Sequence, residues 1–208
     1  MTLNAPTTPA PVSTIPPGEV DSSAAYTSFT LAFVIGHGAA ALSKGTDPVL
    51  TLPVWLPLTL FFTGLVPGLV LNLRAVKRAQ QGASESRRRA ENLLGTAWAT
   101  GFTALFLAVT GLSTATGQPE LQNVLWPAGS GLVVGLINIA EGAVRRNTLH
   151  YNLGSWLALI SAASLFLNTA GVYAVLAIAG GAGYAVAATR EPRRLAGLSI
   201  TAGITAAR

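Results

Sequence analysis

The sequence predicts an all-α integral membrane protein of six transmembrane helices, and three observations carry that prediction. Half of the 208 residues are hydrophobic and only 10% are charged, against roughly a quarter charged in an ordinary soluble domain. Six windows are nearly free of charge and approach the ~20 residues that an α-helix needs to cross a ~30 Å hydrocarbon core. Twelve of the 13 Lys and Arg residues fall in alternate connections and the C-terminal segment, the distribution of the positive-inside rule.

Residues 1–25 contain no Lys or Arg and are rich in Pro, Thr and Ser. They lack the basic and apolar stretches of a signal peptide and read as a disordered cytoplasmic tail. The spans follow at 26–43, 53–73, 93–112, 124–144, 153–167 and 172–189, and 191–208 form a cytoplasmic C-terminal tail. Pro57 and Pro67 within the second span are expected to bend or locally open it. Gly64 and Gly68 in the second span and Gly131 and Gly135 in the fourth form GxxxG patterns, and Gly180, Gly181 and Gly183 crowd the sixth, all consistent with close helix approach. The fifth span is short.

Arg74, Lys77, Arg78, Arg87, Arg88 and Arg89 follow the second span, Arg145 and Arg146 the fourth, and Arg190, Arg193, Arg194 and Arg208 the sixth; Lys44 alone falls on the other side. This places both termini in the cytoplasm, the protein in the cell membrane, and the connections 44–52, 113–123 and 168–171 outside. It also accounts for the net charge of +5 without a nucleic-acid partner.

Pairing spans across the outside loops gives hairpins 26–73, 93–144 and 153–189 in one membrane domain, 26–190. Weak similarities link them. Phe29-Thr30 with Phe33 is matched by Phe102-Thr103 with Phe106, and Asn92-Leu93-Leu94-Gly95 by Asn152-Leu153-Gly154. The expectation is a threefold hairpin repeat that can surround a central pore. If the first helix of each hairpin faces that axis, Phe29, Phe33, Phe102, Phe106 and Phe166 form an apolar constriction that dewets for ions; the alternative is that they face lipid or neighbouring helices.

Enzymatic chemistry finds little material. There is no Cys, hence no thiolate nucleophile, and the chain carries only two His and eight acidic residues. No phosphate-binding Gly-rich loop ending in Lys-Ser/Thr and no HExxH occurs, so no catalytic residue, metal site or cofactor is expected.

The stretch 129–159, GSGLVVGLINIAEGAVRRNTLHYNLGSWLAL, carries a family resemblance. Its Gly131, Gly135, Glu141, Arg145, Arg146, Asn147, Thr148, Gly154 and Trp156 resemble the characteristic element of the acetate uptake transporters, the succinate–acetate permeases. Gly171-Val172-Tyr173 is similar to the start of that family's next helix. The same region looks like the AmiS/UreI urea and short-chain amide channels. The resemblance covers about 92–195. Glu91-Asn92-Leu93-Leu94-Gly95 stands where the acetate family has Asn-Pro-Ala-Pro-Leu-Gly, and the hairpin order is permuted. The resemblance implies six helices as three hairpins, a homo-oligomer with a pore in each protomer, and a small solute contacted by Asn147, Thr148 and Trp156. Asn138, an amide in an apolar helix one turn before Glu141, is expected either to make an interhelical hydrogen bond or to contact that solute.

Two ionisable residues inside spans are functional candidates. His37 would change charge between about pH 5 and 7 if it senses pH, or else reaches the outer interface. Glu141 stands four residues before Arg145, which suits a salt bridge or a proton-handling role. The expected function is a channel or transporter for a short monocarboxylate such as acetate, or for urea or a short amide. The alternative is a non-transporting structural or regulatory subunit. Membrane lipids and the solute are the expected partners.

Overall fold

The computed structural model describes residues 18–206; most of the predicted N-terminal tail, 1–17, lies outside the described residues. Six helices, and no strand, make up the described chain. Helix α1, Ser23–Ser43, contains a π-helical turn at Ala32–His37. Helices α2, Leu56–Ala79, and α3, Glu85–Thr116, follow. A 3-10 turn, Pro119–Leu121, leads into α4, Gln122–Arg145, which a tight turn joins to α5, Thr148–Ser164. Helix α6 opens as Thr169–Val175, passes a second π turn at Leu176–Gly180 and continues as Gly181–Ala206.

Five of these segments, Ser23–Ser43, Leu56–Ala79, Glu85–Thr116, Pro119–Arg145 and Thr169–Ile200, are long and apolar enough to cross a membrane. The chain is therefore a multi-pass membrane protein. Helix α5, expected as a span at 153–167, has 17 residues, about 26 Å at 1.5 Å per residue, slightly less than the hydrocarbon thickness.

Helix ends follow local chemistry. The Ser84 and Asn147 side chains cap α3 and α5, and Asn168 accepts from the Gly171 amide at 2.8 Å to start α6. Gly117, at φ 66°, ends α3 in the left-handed conformation that glycine adopts without steric cost. Pro57 does not bend α2 as expected. The helix begins at Leu56, so Pro57 occupies the first turn, where its missing N–H has no partner to lose; only Pro67 lies inside. The α6 helix runs on past 190 into the segment expected as a tail.

Neighbouring helices touch in the order α2, α1, α6, α5, α4, α3, with α6 also reaching α4. Helices α2 and α3 are peripheral: only 17% and 11% of their most apolar stretches are buried, against 39% for α1 and α6. Their exposed Phe62, Val66, Leu93, Phe106 and Leu107 suit contact with lipid. Each of the three expected hairpins is a pair of touching helices. The most extensive seam, however, is α4 against α5, which the sequence reading placed in different hairpins. The centre is filled by Tyr26, Phe33, Leu153, Leu157, Leu176 and Tyr184.

Small residues make the main seam. A Cβ on Gly135 would stand 2.5 Å from the Ala158 amide nitrogen, and one on Gly154 2.6 Å from the Gly135 carbonyl oxygen. Side-chain-free backbones thus meet directly, the packing available where lipid removes the hydrophobic drive between helices. Gly64 presses on Ala32 in the same way between α2 and α1.

Gly135→Val is expected to separate α4 from α5 and to cost about 1–3 kcal/mol or more through overpacking. Gly95→Ala, at an α3 position with no neighbour within 4 Å, is expected to stabilise by up to ~1 kcal/mol. Thermal and denaturant unfolding in detergent measures both, and equal behaviour of the two variants would contradict the seam.

Candidate functional site

The α4–α5 turn builds the site. Arg146 leaves α4 with φ 53°, left-handed for a residue bearing a Cβ, while the Asn147 amide returns to the Gly142 carbonyl at 2.8 Å. Asn147 then caps α5, its Oδ1 accepting from the His150 amide at 3.0 Å. Gly142 lets the turn close, since a Cβ there would stand 2.5 Å from the Tyr151 amide nitrogen. The result sets the His150 ring against Glu141, one turn before the end of α4.

A buried charged network grows from that contact. Arg145 donates from Nε and Nη2 to both oxygens of Glu91 on α3, at 2.8 and 2.6 Å, and from Nη1 to Glu141 Oε2 at 2.9 Å. Trp98 Nε1 donates to Glu141 Oε1 at 2.7 Å. His150 Nε2 lies 3.2 Å from Glu141 Oε2, and the Tyr26 hydroxyl from α1 lies 2.6 Å from His150 Nδ1. One guanidinium therefore serves two carboxylates, and His150 supplies the remaining donor. Against an ionised Glu141, which only accepts, neutral His150 carries its proton on Nε2, so Nδ1 accepts from Tyr26. A charged His150 donates from both nitrogens and balances the cluster.

A second cluster of the same kind lies at the same end. Arg194 binds Glu191 from Nε and Nη2 at 2.7 and 2.9 Å and Glu19 from Nη1 at 2.8 Å. Glu191 is fully buried and also faces the Ser22 amide at 3.4 Å. Glu19, Val20 and Ser22, within the described part (18–25) of the predicted N-terminal tail, are thus pinned to α6. Between the clusters opens a cavity of about 660 Å³ whose walls include Arg87, Arg145, Arg146 and Arg194 with Glu19 and Glu91.

From the first cluster a line of side chains threads the bundle. Ring centroids are 6.1 Å apart from His150 to Tyr26, 6.3 Å from Tyr26 to Tyr184, 5.1 Å from Tyr184 to Phe33, 4.8 Å from Phe33 to His37 and 6.0 Å from His37 to Tyr173. Tyr173 is near the start of α6, so the line reaches the opposite end. Phe33 interrupts it as a purely apolar ring. Phe33 and His37 belong to the π turn of α1, which packs against the π turn of α6. Such turns recur at functional sites. His37 is buried and its Nδ1 has no hydrogen-bond partner among the described residues.

The structure brings some expected site residues together and separates others. Phe29 and Phe33 meet around Tyr184. Phe102 stacks on Trp98 at 6.0 Å, Phe106 is half exposed beside Trp126, and Phe166 is 94% exposed beyond the end of α5. Phe102, Phe106 and Phe166 therefore stand apart from the Phe29–Phe33 pair. Asn138 is buried and faces the Tyr184 hydroxyl. Asn147 caps α5, and Thr148 stands at the cavity wall. Trp156 donates to the Ala179 carbonyl in the α6 π turn at 2.8 Å. Glu141 has its expected partner Arg145.

Sequence reasoning missed His150, Tyr26, Glu91, Trp98 and the Glu19–Arg194–Glu191 cluster as site residues. Glu191 and Arg194 had a local signal in their three-residue spacing on a helix. Glu91 and Tyr26 had none, because their partners lie on other helices. Comparison with known protein families, curated proteins and solved structures returns no match for this chain.

Removing one member of a buried ion pair leaves an uncompensated charge, so Arg145→Met is expected to cost about 3–5 kcal/mol. Adding Glu91→Gln and Glu141→Gln to that variant removes the stranded charges and should recover most of the loss. Denaturant unfolding of the single and triple variants checks this, and a loss under ~1 kcal/mol for Arg145→Met would show the network to be energetically idle.

Proposed function

We propose that this protein is a membrane channel or transporter for a small polar solute, a short monocarboxylate or a short amide, and that its path follows the line of side chains through α1, α4, α5 and α6. The observation that carries this reading is the line itself: Glu141, His150, Tyr26, Tyr184, Phe33, His37 and Tyr173 in consecutive contact between the ends of the bundle. Ionisable groups are expensive inside a membrane protein and mark solute or proton pathways when retained there. Buried ion networks are also weak contributors to stability compared with well-packed apolar side chains, so stability is a poor reason to keep one.

In this reading Phe33 is the constriction, and the paired π turns around it supply backbone that can rearrange without breaking the bundle. His150 and Tyr26 hold a movable proton beside Glu141: a proton gained at Nδ1 makes His150 a donor on both sides and turns Tyr26 into an acceptor. The resemblance to acetate transporters and amide channels selects acetate and urea as first solutes. The arginine-rich end, with both termini, faces the cytoplasm of the cell by the positive-inside distribution.

Proteoliposomes are expected to show labelled acetate or urea flux above empty liposomes, changed about tenfold, or ~1.4 kcal/mol in barrier, by Phe33→Ala and by His150→Asn. Absence of flux for both solutes with a folded protein would overturn the reading and favour a non-transporting subunit. Because the chain has no Cys, orientation is tested separately. Thr46→Cys should react with a membrane-impermeant maleimide on intact cells and Ser84→Cys only after permeabilisation; the reverse pattern would invert the topology.

A further inference from the structure

The cavity between the two Glu–Arg–Glu clusters shares Leu149 with a second concavity. This is a groove of about 270 Å³ between α5 and α6, walled by Leu149, Leu153, Trp156, Gly183 and Val186, with Arg190 also on its wall. Leu149 and Arg190 stand at the arginine-rich end, while Trp156 and Gly183 meet deeper, the Gly183 backbone lying against the indole ring. From Leu149 to Trp156 the groove follows α5 for about 10 Å. It is thus a basic cavity continuing into an apolar slot along a membrane-spanning helix.

The charges of the two walls are unequal. Glu91 and Glu19 are engaged by Arg145 and Arg194. Arg146 and Arg190 have no carboxylate partner among the described residues, and the Arg87 guanidinium donates to the Gly18 carbonyl. Arg146 lines the cavity from a backbone at φ 53°, a conformation that costs a residue with a Cβ roughly 1 kcal/mol and that glycine would relieve. The first turn of α5 adds the unpaired backbone N–H groups of Thr148 and Leu149, both on the cavity wall.

We propose that these two concavities form one binding site for an anionic phospholipid. The phosphate of the headgroup is held at Arg146 and Arg190, and an acyl chain lies in the slot along Leu149, Leu153, Trp156 and Gly183. A free anion would satisfy the arginines but leave the apolar slot uncovered. A zwitterionic lipid would fill the slot but bring a choline group to the unpaired guanidiniums. Basic pockets between helices on one side of a membrane protein take anionic headgroups by this division of labour.

The test is native mass spectrometry and thermal unfolding of the full chain in detergent, titrated with phosphatidylglycerol, phosphatidylcholine or inorganic phosphate. One phosphatidylglycerol per chain should be retained and should raise the unfolding temperature, while phosphatidylcholine and inorganic phosphate do neither. The double variant Arg146→Gln/Arg190→Gln should weaken retention about tenfold or more, and Gly183→Leu, which fills the slot, should do the same. Arg88→Gln/Arg89→Gln, equally basic positions at the same end but off both walls, should change nothing, which separates a site from general attraction to anionic lipid. Equal retention of the two lipids, or equal losses from the two arginine pairs, would overturn the proposal. A full stabilisation by phosphate alone would replace it with a soluble-anion site. Circular dichroism on every variant confirms that it is folded, and lipid retention is read without any flux, so the outcome is independent of transport.

Discussion

The architecture depends on the direct meeting of the α4 and α5 backbones. At Gly135, Gly142 and Gly154 there is no room for a Cβ, and that approach permits a turn of only Arg146 and Asn147 between two long helices. A looser seam would need a longer connection and would carry His150 away from Glu141. With the seam closed, a carboxylate near the end of one helix and an imidazole near the start of the next fall within hydrogen-bond distance. The polar site is therefore a consequence of glycine packing.

Once Glu141 and His150 are juxtaposed, the surrounding helices are held by what the pair requires. Arg145 reaches to Glu91 and so ties the otherwise lightly covered α3 to the bundle. Trp98 adds a second tether from the same helix. Tyr26 engages His150 and binds α1. The second cluster repeats the scheme at the end of α6: Glu191 and Arg194 on one helix receive Glu19 from the segment preceding α1. Each cluster joins a local helix pair to a carboxylate distant in sequence. In a medium where apolar surfaces gain little by leaving lipid for one another, such contacts specify which helices become neighbours.

Away from the charged end, the interior changes from ion pairs to aromatic rings, with Phe33 placed between Tyr184 and His37. Phe33 belongs to one π turn and lies against Gly180 of the other, and Trp156 donates to that second turn at the Ala179 carbonyl. A widened helical turn shifts the angular position of everything beyond it, so the two π turns set how the two halves of α1 and of α6 face their neighbours. The same Trp156 walls the slot between α5 and α6. The π turn of α6 and the slot are thereby linked through one indole.

Local information made much of the architecture legible. Charge-free stretches located the helices because crossing a bilayer requires apolar length, and Asn147, Asn168 and Gly117 mark ends through capping chemistry carried by single residues. Glu141 and Arg145 were readable as a pair because helical periodicity puts residues four apart on one face. What the sequence by itself determined was therefore which segments are helical, which are apolar, and where the positive charges gather. The pairing of α4 with α5, the convergence of Glu91, Tyr26 and His150 on Glu141, and the separation of Phe102, Phe106 and Phe166 from Phe29 and Phe33 were decided only by tertiary structure. The physical reason is that hydropathy records how apolar a helix is without recording which neighbour it faces. That choice rests on sub-ångström fit at glycines and on partners up to 175 residues apart.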